Sequence, residues 1–117
     1  MAKKPETLFK EKIRPQLDAL KNSWWVKTQM RSIRGIPDLL GCVNGYFIAL
    51  ELKTDDKRSE LAPLQGYILR KITKAGGIAL EVTPETWDDT YQILRILASG
   101  QARVRALVQA RLKNLHS

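Results

Sequence analysis

Apolar positions along the chain recur with two periods. From Thr7 to Leu20 they fall at Leu8, Phe9, Ile13, Leu17 and Leu20. Steps of three and four predict an amphipathic helix, which Pro15 is expected to kink or split. Trp24 to Met30 is rich in β-formers and reads as a strand, followed by a loop from Arg31 to Gly35. Asp38 to Val43 and Tyr46 to Lys53 are apolar runs separated by Asn44-Gly45. Both turn residues tolerate positive φ, so a tight hairpin is expected. Alternation along the second strand puts Phe47, Ala49, Glu51 and Lys53 on one face and Ile48, Leu50 and Leu52 on the other. Thr54 to Glu60 is a charged loop. Pro63 suits the first turn of a helix and Gly76-Gly77 its end, with Leu64, Ile68, Leu69 and Ile72 as its apolar stripe. Ile78 to Val82 is a short strand. Thr83-Pro84-Glu85 is expected to open a helix to about Ala98, ended by Ser99-Gly100. Gln101 to Leu115, with Val104, Leu107, Val108, Leu112 and Leu115, reads as a last amphipathic helix. The predicted fold is therefore α/β, a mixed β-sheet flanked by helices. The helix between the third and fourth strands allows a parallel crossover.

Composition narrows the classes of function. At 117 residues and 44% hydrophobic, one domain is expected. The longest apolar run, Tyr46 to Leu50, is five residues, against the roughly 20 a membrane helix needs. The N-terminus shows no apolar secretory core, so an intracellular protein is expected. One cysteine, Cys42, excludes an intrachain disulfide and a cysteine-based zinc site. The single histidine, His116, makes histidine-based metal or base chemistry a poor expectation. Net charge is +8, unevenly spread. Residues 1–34 hold nine Lys/Arg against three acids, and residues 91–117 hold five against none. Residues 35–90 reverse the balance, with six bases and nine acids. Basic ends point to a polyanionic partner, most often nucleic acid. A pure phosphate binder has little reason to place carboxylates in its middle.

The acidic centre contains Gly35-Ile36-Pro37-Asp38 and, after twelve intervening residues, Glu51-Leu52-Lys53. A two-residue turn sets Val43 opposite Tyr46, so paired residue numbers sum to 89 and Asp38 falls opposite Glu51. Directly opposed residues have Cβ atoms about 4.5–5.5 Å apart. Two carboxylates that close repel unless a proton or cation lies between them. A hard divalent ion bound by oxygens suits the pair, and Mg²⁺ would leave positions for phosphate and water. Lys53, on the same face, would hold a phosphate oxygen, orient the water or, with a lowered pKa, take a proton. The competing reading is a surface ion-pair cluster of little energetic weight.

These residues resemble the PD-(D/E)xK nuclease motif, and the longer pattern resembles its compact virus-type replication-repair (VRR-NUC) branch. The match runs over about residues 6–82. It comprises Glu6 at the head of the first helix, Gly35-Ile36-Pro37-Asp38-Leu39, Glu51-Leu52-Lys53, Gln65 on the next helix and Ala75-Gly76-Gly77 before the last strand. The resemblance implies a restriction-endonuclease-like αβββαβ core, with residues about 84–115 as a C-terminal helical extension. It implies metal-dependent hydrolysis of DNA phosphodiesters. Asp38, Glu51 and the Leu52 carbonyl would bind Mg²⁺, or Mn²⁺ in its place, and Lys53 would position the water. Glu6 would reach the metal through water, with Glu11 as its rival, and Gln65 would support the site. Phage-encoded stand-alone members further imply a homodimer resolving four-way (Holliday) junctions. Two other readings stay open: a flap or duplex-end repair nuclease, and a non-catalytic nucleic-acid-binding protein on the same fold.

Arg31, Arg34, Lys57 and Arg58 flank the motif and are candidates for phosphate contact. Trp24 and Trp25 must face opposite ways, one into the core and one outward. Cys42 is expected to be a small buried hydrophobe, and Trp87 and Tyr91 to serve helix packing. The last helix, with Arg103, Arg105, Arg111 and Lys113 around its stripe, fits intrachain packing, dimer packing or DNA binding alike.

Overall fold

The Asn44-Gly45 turn organises the sheet. Both residues adopt positive φ, 51° and 91°, the combination that matches the natural twist of a two-residue hairpin. In the computed structural model, which describes residues 3–28, 34–54, 63–100 and 110, the turn joins strands β2 (Leu39–Val43) and β3 (Tyr46–Leu52). Leu39 pairs with Leu50 and Val43 with Tyr46, the register deduced from the turn. Strand β1 (Ser23–Lys27) adds antiparallel to β2, and β4 (Ile78–Val82) adds parallel to β3. The mixed sheet has the order β1-β2-β3-β4.

Among the described residues three helices flank it: α1 (Pro5–Asp18), α2 (Pro63–Lys74) and α3 (Trp87–Ala98). The core lies between one sheet face and helices α1 and α3. Phe9, Ile13 and Leu17 of α1 and Trp87, Leu94 and Ala98 of α3 join Trp25, Leu39, Val43, Ile48, Leu50, Leu52 and Val82. Gly41 belongs to this packing, because the Trp25 ring occupies the space a Cβ would need. Trp25 is thus the core tryptophan, while Trp24 on the other face is 66% exposed. Helix α2 makes the parallel crossover from β3 and packs on β4.

Several expectations are corrected. Helix α1 is not split at Pro15. A proline in the last turn forfeits its bond to the carbonyl four residues back, and the Pro15 carbonyl still accepts from Ala19 N–H. Strand β1 ends at Lys27, short of Met30. Residues 84–86 form a turn, and α3 starts at Trp87. The Thr83 hydroxyl accepts from the Thr86 N–H at 3.2 Å, and the Thr86 hydroxyl accepts from the Thr83 N–H at 2.9 Å. Cys42 is exposed. It lies between Trp24 and Phe47 on the face turned away from α1 and α3, and both neighbours are exposed too. No residue of α2 is fully buried, so its apolar stripe is only half covered.

Trp87 and Tyr91 pack ring to ring at 5.5 Å, and both bond Gln16 of α1, Trp87 to its side chain and Tyr91 to its carbonyl. The predicted helix from Gln101 to Leu115 lies outside the described residues, Ala110 excepted. Among the described residues no helix is long and apolar enough to cross a membrane.

Candidate active site

The approach to Asp38 is fixed by backbone needs. Gly35 has φ +75°, and a Cβ there would meet the Leu64 side chain of α2 at 2.8 Å. Glycine is required on both counts. Pro37 is fully buried. Thr28, just after β1, donates its backbone N–H to the Asp38 carbonyl at 3.0 Å and its hydroxyl to the Pro37 carbonyl at 2.6 Å. Asp38 therefore enters the sheet at a set position, one step beyond the last β2–β3 pair and opposite Glu51 by continuation of the register.

The Asp38 carboxylate is then tied to the strand beside it. Its Oδ2 accepts the Leu52 N–H at 2.8 Å. The neighbouring Lys53 N–H points the other way, to the Val82 carbonyl of β4 at 2.9 Å. Because N–H and C=O of one strand residue share an edge and alternate along the chain, the Leu52 carbonyl is turned to the Asp38 side.

Glu51 is the buried member, 2% exposed as a residue. Burial pushes its carboxyl up to about 8 from an ordinary value of 4.5. Asp38 adds to the rise, first by hydrogen bonding to the protonated form and then by its charge, while the Lys53 ammonium opposes it. Among the described residues Glu51 Oε2 is buried without a hydrogen-bond partner. It forms an ion pair with Lys53 Nζ at 3.9 Å. Lys53 is aimed by Gln65 of α2, whose Oε1 accepts from the ammonium at 3.2 Å.

The rim is built from α1. Glu6 is half-exposed and pairs with Lys10 at 3.4 Å, and Lys10 Nζ lies 3.6 Å from Asp38 Oδ1. Glu6 is thus linked to the carboxylate pair through Lys10. Glu11 pairs instead with Lys3 at 2.8 Å on the exposed side of the helix. The structure brings Glu6, Asp38, Glu51, Lys53 and Gln65 into one connected cluster. Arg34 is exposed in the turn before Asp38. Arg31, Lys57 and Arg58 lie outside the described residues. Sequence reasoning missed Lys10; its spacing of four from Glu6 was the available signal.

The donor set can be tested against a metal. Among the described residues no group of three or more His, Cys, Asp or Glu side chains could hold an ion. What is present is two carboxylates and a backbone carbonyl, with one buried carboxylate oxygen that has no hydrogen-bond partner among the described residues. That set fits a hard ion such as Mg²⁺, which takes one or two carboxylates and keeps several waters. It offers none of the histidine or cysteine ligands on which zinc sites are built. No family model, curated protein or solved structure matches the chain.

Proposed function

We propose that this chain is a divalent-metal-dependent DNA endonuclease of the PD-(D/E)xK type, acting as a homodimer on branched, four-way DNA. The observation that carries the reading is the Asp38–Glu51 pair facing across the hairpin, with a buried Oε2 that has no hydrogen-bond partner among the described residues and a Gln65-held Lys53 beside it. A surface ion-pair cluster has no use for a carboxyl buried to 2% exposure and pushed up to about 8. Asp38 Oδ1, Glu51 Oε2 and the Leu52 carbonyl would hold Mg²⁺, with Mn²⁺ as a substitute. Bound there, the ion supplies a Lewis acid for phosphate oxygens and a water acidic enough to attack at neutral pH.

The chain's own residues do the rest. Lys53 holds the attacking water, or a phosphate oxygen, in line. Gln65 keeps the ammonium from collapsing onto Glu51. Leu52 N–H and Thr28 fix Asp38 so that Oδ1 is the oxygen left to face a ligand. The basic segments on either side of the acidic centre supply phosphate contacts. One small chain carries one such site, so paired cuts in a four-way junction call for two copies related by a twofold axis.

The test is a substrate panel: end-labelled four-way junction, flap and linear duplex, each with Mg²⁺, Ca²⁺ or EDTA. Symmetric paired cuts in the junction with Mg²⁺ are expected, with a dimer in sedimentation. Cuts confined to flap or duplex would keep the chemistry and overturn the junction assignment. Tight binding without cuts in Mg²⁺ or Mn²⁺ would favour a non-catalytic nucleic-acid-binding protein.

A further inference from the structure

The two oxygens of Asp38 have different partners. Oδ2 accepts the Leu52 N–H at 2.8 Å. Oδ1 faces the Lys10 ammonium at 3.6 Å. The same ammonium lies 3.4 Å from Glu6, one turn earlier on α1. The base of the Lys10 side chain is set by its neighbour Phe9, which is buried in the core with Ile13 and Leu17. Its own side chain is 31% exposed, so the head reaches water and has two anions to choose between. Oδ1 is the Asp38 oxygen without a strand N–H, and a cation approaching it meets an ammonium 3.6 Å away.

We propose that Lys10 is a positioning residue of this site: a resident counter-ion that occupies Asp38 Oδ1 in the metal-free protein and moves to the DNA phosphate when a divalent ion takes that oxygen. The inference rests on the metal-site reading above and assigns a role to a residue that reading does not use. Two cations cannot share one carboxylate oxygen at contact distance without strong repulsion. Lys10 therefore weakens metal binding in the free protein and yields when DNA arrives with a phosphate to receive it. Glu6 is the holding point between the two positions. Metal and DNA then bind with positive coupling, because each makes room for the other.

The experiment uses the full chain as wild type, Lys10→Met, Lys10→Arg and Asp38→Asn, with thermal melts to show that all four fold. Mn²⁺ binding is measured by electron paramagnetic resonance without DNA. Binding to a labelled four-way junction is measured in Ca²⁺ over a range of salt. Lys10→Met is expected to bind Mn²⁺ roughly tenfold more tightly, the size of effect one neighbouring charge has on proton binding. Its salt dependence on DNA should fall by about one charge per chain. Lys10→Arg should restore both toward wild type. Mn²⁺ binding that Asp38→Asn abolishes but Lys10→Met leaves unchanged or weakens would overturn the role of Lys10 alone. Mn²⁺ binding that is absent, or indifferent to Asp38→Asn, would overturn the metal-site reading and this proposal with it.

Discussion

Glu51→Gln should change how stability depends on pH, in a direction the buried carboxyl fixes. In the metal-free fold the Glu51 carboxyl is pushed up to about 8, against 4.5 in the ordinary exposed state. Between those values the folded chain holds a proton that the unfolded chain has lost. Stability from this group is therefore complete below pH 4.5, declines as pH rises and is gone above about 8. At 1.36 kcal/mol per pH unit, going from pH 5 to pH 8 removes about 3–4 kcal/mol through this one residue. That is a large share of the roughly 5–15 kcal/mol that holds a domain folded. Glutamine cannot ionise, and its amide donates to Asp38 as the protonated acid does. Urea unfolding in EDTA at several pH values would read the difference between wild type and Glu51→Gln, which cancels the other titrating groups. The variant should gain on wild type as pH rises toward 8. Saturating Mg²⁺ should remove most of the wild-type decline, because the ion replaces the proton, and should leave Glu51→Gln nearly unmoved. Parallel wild-type and variant curves in EDTA would instead mean that Glu51 is ionised at neutral pH in the free protein.

Two further outcomes are expected. Gly41→Ala forces a methyl into the Trp25 ring and should cost about 1–3 kcal/mol in chemical unfolding; an unchanged midpoint would show that the ring is free to move aside. Gln65→Leu removes the acceptor that aims Lys53 and should slow cleavage about 10- to 100-fold, as loss of an outer-shell partner does. DNA binding in Ca²⁺ should hold, and a loss of binding instead would make Gln65 a substrate contact.

The heart of this site was legible because two rules of strand geometry act locally. A two-residue Asn44-Gly45 turn fixes the register, and a period of two puts Glu51 and Lys53 on one side. Together they placed Asp38 opposite Glu51 without any knowledge of the rest of the fold. Features that depend on how elements pack over long separations were not legible. Cys42 sits in an apolar run, and the run announces a strand but not which of its faces a helix covers. Lys10 looks like one more basic residue on an amphipathic helix until α1 is laid beside the start of β2. Asn22 and Asn44 donate side-chain hydrogen bonds to the Ala98 and Leu97 carbonyls at the end of α3. Those bonds span 76 and 53 residues, and neither asparagine's neighbours hint at them. The opening of α3 misled for a local reason. Thr83-Pro84-Glu85 has the residues of a helix start, yet the mutual bonds of Thr83 and Thr86 close a turn first and begin the helix at Trp87.

The proposed metal mechanism has Asp38 and Glu51 hold a divalent ion that drives phosphodiester cleavage beside Lys53. Its most direct test is the rate of strand cleavage of a labelled four-way junction by wild type and Asp38→Asn, in Mg²⁺ and in EDTA, with DNA binding followed in parallel. Cleavage by wild type in Mg²⁺ alone is expected, with loss of cleavage but retained DNA binding in Asp38→Asn. Equal cleavage by the two proteins, or cleavage that survives EDTA, would overturn the metal mechanism.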